Sequence, residues 1–357
     1  MPSSLIKRLM LLVFMALWIC FAGEMFLRAF DPQPMLPRYV QAGDFGIRVN
    51  MPNQVYVHKT PEYRVEIRTN NRGMRANVDY TYEKPAGVKR VVVLGDSFGM
   101  GYGVKLEDTF TEQMRRKLES SLGKKVEIIN LSVSGYGTAE ELLMLQHEGV
   151  RYHPDLVLLA WHATDPDDNL RSGLFAVEHG KLVRRNATYL PGVKIREYLF
   201  SFAIYRWLAG NSHFYNWLRD FAGSKIKQVM ATMKRTKVDS ASNDSVSSKE
   251  GPDYSLSIAL LDAVKLETEK AGAKLLLLEI PVRVSRTEYL PCMPEEIRRR
   301  FDVVSPIKVF QQHAGSLLYW EKSHGHFTPL GCEIVAGSLA EAATKMLATQ
   351  SGNSEGI

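Results

Sequence analysis

The stretch VVVLGDSFGMGYGV, Val91–Val104, decides the fold because it joins an apolar run directly to a glycine-rich turn. An apolar run without alternation is typical of a strand in a parallel sheet that is covered on both faces. The four glycines do not follow the GxGxxG spacing of a dinucleotide-binding turn, and no GK[ST] phosphate loop is present. The remaining interpretation is a nucleophile, Ser97, at the carboxyl end of the first strand.

Apolar runs and helix signals alternate downstream of this stretch. After the strand at Val91–Gly95, three more strands are predicted at Val126–Asn130, Asp155–Trp161 and Lys274–Pro281, and Leu317–Trp320 is a candidate fifth. Helices are predicted from Thr109 to about Leu122, from Thr138 onward, over Tyr254–Ala271 and over Leu330–Ala348. This alternation predicts an α/β fold, a three-layer α/β/α sandwich around a parallel sheet.

Composition excludes several classes of protein. The chain has 357 residues, 45% hydrophobic and 24% charged, which is ordinary for a globular protein and excludes collagenous, disordered and multi-span membrane chains. A net charge of +6 is too small to indicate nucleic-acid binding. Cys20, Cys292 and Cys332 lack metal-ligand spacing, so we expect no metal site. Cys292 and Cys332 could pair in an oxidising compartment, although two separate thiols are favoured.

The N-terminus resembles a membrane anchor. Lys7 and Arg8 precede fifteen uncharged residues, Leu9–Gly23, and the apolar stretch to Leu27 would span about 28 Å as a helix. A cleaved signal peptide, a lipoprotein site at Cys20 and a buried helix are alternatives, but the residues before Cys20 are large. We therefore predict an uncleaved anchor over residues 1–30. It would be a single pass through the inner membrane, with the remainder in the periplasm if the source is a Gram-negative bacterium.

Three further regions follow the anchor. Residues 31–88 are rich in proline and predict a small, extended accessory region, and residues 89–350 carry the α/β pattern. The pattern breaks over an insertion, 166–252, whose part 195–235 is aromatic and basic. That part is compatible with a lid, with a membrane-facing surface or with packing on the sheet edge. Residues 236–252 are polar and are predicted to be disordered.

A nucleophilic serine needs a base, and HGHFTPLG, His324–Gly331, offers His326 just before the last predicted helix. Loops at the carboxyl edge of a parallel sheet gather at one site, so we expect His326 to reach Ser97.

Four ordered segments now resemble the blocks of the SGNH/GDSL hydrolase family: GDSFGMGYGV, NLSVSGYGT (Asn130–Thr138), the Trp161–Asn169 stretch and HGHFTPLG. The resemblance covers roughly residues 89–345 without the insertion. It implies a flavodoxin-like sheet and no cofactor. The layout is similar to membrane-anchored bacterial members related to polysaccharide O-acetylation proteins.

The resemblance implies a role for each matching residue. Ser97 is the nucleophile and its own NH an oxyanion donor, Gly135 supplies a second NH, and His326 is the base. Thr164 takes the place of the usual oxyanion-hole asparagine, and loss of one such donor typically costs ~10²–10³ in rate. The carboxylate that orients the base usually lies two or three residues before it, where this chain has His324 and Ser323.

A neutral His324 would accept a hydrogen bond from the His326 ring, whereas a protonated His324 would repel an imidazolium forming on His326. This predicts that activity falls as pH falls through the histidine range and that His324→Asp raises turnover. Asp165, Asp167 and Glu321 are candidate substitutes for the missing carboxylate.

The sequence is compatible with two functions. The first is an ester hydrolase or O-acyltransferase that acts on surface or exported carbohydrate through an acyl-Ser97 intermediate. The second is a catalytically degenerate SGNH domain that binds polysaccharide or scaffolds a secretion complex. The expected partners are an acylated carbohydrate, the membrane through the N-terminal helix and polysaccharide-export proteins. A nucleotide-dependent oxidoreductase is disfavoured by the glycine spacing.

Overall fold

The computed structural model describes residues 2–37, 39–225 and 253–348, and the stretch predicted to be disordered, 236–252, lies outside the described residues. The strands of the described residues are β1 (Val40–Ala42), β2 (Arg48–Asn50), β3 (Val55–Lys59), β4 (Arg64–Arg68), β5 (Lys89–Leu94), β6 (Val126–Asn130), β7 (Leu156–Trp161), β8 (Phe175–Glu178), β9 (Lys181–Arg184), β10 (Lys274–Glu279), β11 (Val282–Arg283), β12 (Tyr289–Leu290) and β13 (Val303–Val304).

The helices of the same residues are α1 (Pro2–Phe30), α2 (Ser97–Met100), α3 (Phe110–Leu122), α4 (Thr138–His147), α5 (Asp165–Ser172), α6 (Val193–Phe200), α7 (Ala203–Asn211), α8 (213–225), α9 (Ser255–Lys270), α10 (Glu295–Arg300), α11 (Ile307–Gln312) and α12 (Pro329–Ala348). Caps explain the ends of α3: Thr109 accepts a hydrogen bond from Glu112 N, and Gly123 adopts the left-handed conformation after the last turn.

The central sheet has the order β13-β10-β7-β5-β6, and every neighbouring pair is parallel. Numbered along the chain, this is the 2-1-3-4-5 order of flavodoxin-like folds. Its crevice lies between the first and third strands, β5 and β7, at their carboxyl ends. The predicted α/β fold and its first four strands are confirmed.

The candidate fifth strand at Leu317–Trp320 was wrong, because β13 at Val303–Val304 fills that edge of the sheet. The segment instead folds back towards the loop before α12, where Tyr319 forms an isolated antiparallel bridge with Phe327.

Alternate residues of the strands pack into two apolar layers, one on each face of the sheet. Val92 and Leu94 of β5 face one layer, closed by α4 and α9, whereas Val91 and Val93 face the other, closed by α3 and α12. Cys292 packs against the first layer and Cys332 lies in the second, so the sheet separates the two thiols. Both cysteines are unpaired, as favoured from the sequence.

The accessory region packs onto the loop that follows Ser97. It contains two antiparallel hairpins, β1–β2 and β3–β4. Apolar residues of the second hairpin cluster with Met100 and Tyr102. The buried Arg75 donates hydrogen bonds to the carbonyls of Met100 (2.9 Å), Gly101 and Val104 (2.6 Å). Residues 31–88 therefore help to shape the loop that follows Ser97.

The first helix, α1, is 29 residues long, or about 43 Å at 1.5 Å per residue. Within its segment Ser4–Phe30, a window of 18 residues has a mean hydropathy of 2.2, and the segment is long and apolar enough to cross a membrane.

Candidate active site

Ser97 stands at the carboxyl edge of the sheet, as the first residue of the short helix α2. The preceding strand ends at Leu94, and Asp96 caps the helix by accepting a hydrogen bond from Phe98 N at 2.7 Å. From the neighbouring strand, Asn130 Nδ2 donates to Gly99 O at 2.9 Å and fixes the turn from behind. The serine is thus held on a short, capped turn rather than on a free loop.

His326 reaches Ser97 from the loop before α12. Its Nε2 lies 2.7 Å from Ser97 Oγ, a hydrogen-bond distance between two residues 229 positions apart in the chain. The ring is buried against Phe98 and Tyr102, at centroid distances of 4.9 and 5.5 Å. This is the geometry that a serine nucleophile and its base require.

The other ring nitrogen, His326 Nδ1, is buried and has no hydrogen-bond partner. The expected hydrogen bond to His324 is not formed. His324 has a left-handed backbone (φ +59°) and an exposed side chain, whose Nε2 lies 4.0 Å from Asp220 Oδ2 on α8. The carboxylate of Glu321 instead pairs with Arg286, whose Nη2 lies 2.7 Å from Oε2.

Ser323, three residues before the base, is the fully buried member of this loop. Its Oγ also lacks a hydrogen-bond partner. The Ser323 carbonyl favours the protonated form of the His326 ring, but it makes no hydrogen bond of normal geometry with Nδ1. Of the two positions at which the resemblance expects an orienting acid, Ser323 is therefore the buried one, and it lacks the charge.

Burial of the ring, reinforced by the nearby His324, lowers the pKa of His326 to about 3. Burial disfavours the imidazolium, so the ring is neutral at physiological pH and able to accept a proton from Ser97. This changes the pH dependence expected from the sequence, because the base does not titrate in the usual histidine range.

We therefore expect kcat/KM for an ester substrate to stay nearly flat from pH 8 to about pH 5, since kcat/KM reports the pKa values of the free enzyme. Activity would be lost only as pH falls through the low pKa of His326. Initial rates in constant-ionic-strength buffers measure this profile. An acid limb centred near pH 6.5 would show that His326 titrates as an ordinary histidine.

Gly135 lies in the turn between β6 and α4 and has φ +80°, a conformation that favours glycine. Its carbonyl accepts a hydrogen bond from Arg48 Nη2, and Tyr136 N donates to Val133 O at 3.0 Å. An added Cβ would meet Arg48 Nη2 at 3.2 Å. Arg48 was not singled out in the sequence, because its contact joins positions 87 residues apart.

Thr164 lies at the start of α5 and is exposed, with Oγ1 at 3.0 Å from His162 Nδ1. His162 was missed in the sequence, although it directly follows β7 and therefore lies at the same edge as Ser97. Its ring centroid is 5.0 Å from that of Phe98, and its Nδ1 is 3.9 Å from Asp96 Oδ2. Thr164 thus contacts the surroundings of the nucleophile through His162.

Buried carboxyl groups lie behind the nucleophile. Glu140, Glu141 and Asp165 are each at most 1% exposed, and both carboxyl oxygens of Glu141 lack a partner. Burial and mutual repulsion raise the pKa values of Glu141 and Asp165 well above normal, and burial raises the pKa of Glu140 to about 7. Asp165 Oδ2 accepts a hydrogen bond from His162 N at 3.1 Å, and the partnerless His326 Nδ1 makes no bond to it, so Asp165 does not act as the orienting carboxylate in this structure.

These acids predict a loss of stability as pH rises. A carboxyl whose pKa is raised on folding keeps its proton in the folded state after the unfolded chain has lost it, so stability falls as pH rises from the unfolded pKa to the folded pKa. We expect the Tm of the wild type to fall as pH rises from about 5, because Glu140 has a folded pKa of about 7 and that of Glu141 is also raised, and Glu141→Gln to reduce that fall because the amide cannot ionise. Thermal unfolding from pH 5 to pH 8 measures this. Identical pH slopes for both proteins would contradict it.

Comparison with known proteins adds three distant structural neighbours. No protein-family model and no curated protein match the chain. A lipase/acylhydrolase from Enterococcus faecalis is 12% identical, covers 72% of this chain and 96% of its own, and has a TM-score of 0.37. An acetyl xylan esterase is 13% identical over 71% and 98%, with a TM-score of 0.38. A lipolytic protein of the G-D-S-L family from Veillonella parvula is 10% identical over 72% and 98%, with a TM-score of 0.36. Because these identities and TM-scores are low, the chemical argument for this chain rests on the geometry of its own site.

Proposed function

We propose that the chain is a serine esterase or O-acyltransferase of the SGNH type that works through an acyl-Ser97 intermediate. The observation that carries this proposal is the 2.7 Å contact between Ser97 Oγ and His326 Nε2 at the carboxyl edge of the sheet. A neutral, buried imidazole in contact with a capped serine is an arrangement for nucleophilic catalysis.

In the proposed reaction, His326 Nε2 takes the proton of Ser97 Oγ as the oxygen attacks the acyl carbon. The carbonyl oxygen becomes an oxyanion, which the NH groups of Ser97 and Gly135 stabilise. We propose Thr164 Oγ1 as the third donor, with the neighbouring His162 beside it. The imidazolium then protonates the departing sugar oxygen, which leaves the acyl group on Ser97. His326 next deprotonates an acceptor hydroxyl, which attacks the acyl-enzyme and restores free Ser97.

The molecule that accepts the acyl group distinguishes esterase from transferase activity. Water gives an esterase, and a sugar hydroxyl gives a transferase. We propose a surface or exported carbohydrate as substrate, on the support of the outward-facing anchor predicted by Lys7 and Arg8.

The test incubates the full chain with an O-acetylated oligosaccharide and an unacetylated acceptor. Proton NMR distinguishes released acetate from acetyl groups moved to the acceptor, and Ser97→Ala is the matched control. Turnover that survives Ser97→Ala would overturn the proposal.

A second candidate function is a polysaccharide-binding domain without turnover, favoured by the unpartnered Nδ1 of His326. Saturable binding of the oligosaccharide with no acetate released or transferred would select this alternative, in which the chain would act beside polysaccharide-export proteins.

We further propose that residues 1–30 stay attached as a single-pass inner-membrane anchor, with the rest in the periplasm. The support is that α1 binds the insertion: Glu24 accepts hydrogen bonds from Ser212 Oγ and Phe214 N, both at 2.8 Å. Cleavage after the apolar stretch would remove this carboxylate from the polar groups that it pairs with.

Alkaline phosphatase fused after residue 60 should be active in a Gram-negative host, because the enzyme folds only outside the cytoplasm. The fusion should also stay in the membrane fraction at its full length. A cytoplasmic reporter that is active at the same point would contradict the orientation, and a shortened, soluble fusion would show cleavage.

A further inference from the structure

The helix α1 contacts the insertion through Glu24 and Arg28. Glu24 accepts hydrogen bonds from Ser212 Oγ (2.8 Å), His213 N (3.1 Å) and Phe214 N (2.8 Å) at the start of α8. Arg28 donates from Nη2 to Asn211 O at 2.8 Å, at the end of α7. A carboxylate at a helix N-terminus and a guanidinium at a helix C-terminus both suit the helix dipole, so the junction is electrostatically matched.

The junction lies at one boundary of the membrane span. Glu24 is sixteen residues beyond Arg8, or about 24 Å along α1, whereas the hydrocarbon core is about 30 Å thick. With Arg8 at the cytoplasmic boundary, Glu24 stands close to the outer one. A carboxylate at that depth is costly unless it is paired, and its partners are Arg28 Nε on α1 itself, at 2.6 Å, and the polar groups at the start of α8. The start of α8 is thereby placed at the outer surface of the bilayer.

An aromatic stripe runs from this junction along α8. Phe214 touches the anchor, since a Cβ added to Gly23 would lie 2.7 Å from its ring. Trp217 stacks on Phe214 at a centroid distance of 6.0 Å, and Phe221 stacks on Trp217 at 5.6 Å. Trp217 and Phe221 are 38% and 51% exposed. Residues three or four apart share one helix face, so the exposed face of α8 continues the apolar surface of α1.

Helix α7, which precedes α8, also exposes large apolar side chains. Ile204 and Trp207 on α7 are 71% and 58% exposed, which is high for large apolar side chains. The segment 193–225 holds five Lys and Arg residues against two acidic ones. Exposed aromatics combined with basic residues are the composition of helices that lie in a membrane interface and attract anionic lipids.

We propose that the insertion helices α6–α8 form an interfacial membrane surface, with Trp207 and Trp217 seated among the headgroups and upper acyl chains of an anionic leaflet. We assign lipid as the binding partner of this surface because the aromatic stripe on α8 begins on the lipid-facing anchor and the segment 193–225 is basic. The surface also reaches the active site: Asp220 lies beside His324, seven residues or about 10 Å along α8 from its start. The Ser97–His326 pair is therefore held close to the bilayer.

Tryptophan quenching in nanodiscs tests this surface. The full chain carrying Trp18→Phe keeps Trp161, Trp207, Trp217 and Trp320, of which Trp161 is fully buried. It is placed in anionic phosphatidylglycerol with or without bromine at the top of the acyl chains. We expect the brominated lipid to remove roughly half of the emission, since two of the four tryptophans belong to the surface.

The matched control adds Trp207→Phe and Trp217→Phe, which keep the aromatic packing. Its emission should be the same in both lipids. Equal emission of the parent protein in both lipids would overturn the proposal, and so would quenching that persists in the control. A photo-crosslinker at position 217 that captures a protein in cells, together with unquenched emission, would assign the stripe to a protein partner and overturn it as well.

Discussion

Ser97→Ala should lower kcat for hydrolysis of p-nitrophenyl acetate by about 10³–10⁴-fold, because the acyl-enzyme cannot form without the nucleophile. His326→Ala should cost a similar factor, since the serine then lacks the base that lies 2.7 Å away. The double variant should be no slower than either single variant, because the two residues act as one unit. Initial rates at saturating substrate measure all three.

The exposed Ser285 offers a matched control, and Ser285→Ala should keep the wild-type rate. Circular dichroism and Tm verify that each variant is folded. A Ser97→Ala protein that retains the wild-type rate would contradict the assigned nucleophile. Additive losses in the double variant would contradict the assignment of Ser97 and His326 to one step.

Ser323→Asp should raise kcat by up to ~10²–10⁴-fold, since the loss of an orienting carboxylate from such a site costs up to ~10⁴. Both Ser323 Oγ and His326 Nδ1 are buried without partners, so a carboxylate at this position would gain a donor and the imidazolium would gain a counter-charge. The carboxylate should also raise the pKa of His326 and move the acid limb of kcat/KM towards neutral pH.

Ser323→Asn is the matched control, because it has nearly the same size without the charge. It should leave both the rate and the pH profile close to those of the wild type. Equal behaviour of the two variants would show that residue 323 does not face the imidazole. His324→Asp should have little effect, because the exposed His324 side chain lies towards Asp220 on α8. This reverses the outcome expected from the sequence.

The central architecture and the contact between Ser97 and His326 could be predicted because both follow from local patterns. Apolar runs such as Val91–Leu94 identify strands that are covered on both faces, and the carboxyl ends of parallel strands meet at one edge. Ser97 follows such a run and His326 lies in the loop before the last predicted helix, so their meeting could be expected although they are 229 positions apart. The position of the fifth strand was predicted wrongly because β13 has only two residues, whereas Leu317–Trp320 has the stronger apolar run.

Other features depend on tertiary contacts that no local pattern shows. The side chain of His324 is exposed because its backbone is left-handed, and it lies beside Asp220 of α8. Arg75 holds the loop after Ser97 from 25 or more residues away, and Glu24 meets α8 across 190 residues. His162 is the exception, because its place directly after β7 could have marked it as a neighbour of Ser97.

The central claim, that Ser97 is a nucleophile activated by His326, is tested most directly by fluorophosphonate labelling followed by peptide mass spectrometry. An activated serine attacks the phosphorus atom as it attacks an acyl carbon. We expect one stoichiometric adduct, on the peptide that contains Ser97, and no adduct in Ser97→Ala or His326→Ala. An adduct on another serine, labelling that survives His326→Ala, or no labelling of the folded wild type would contradict the claim.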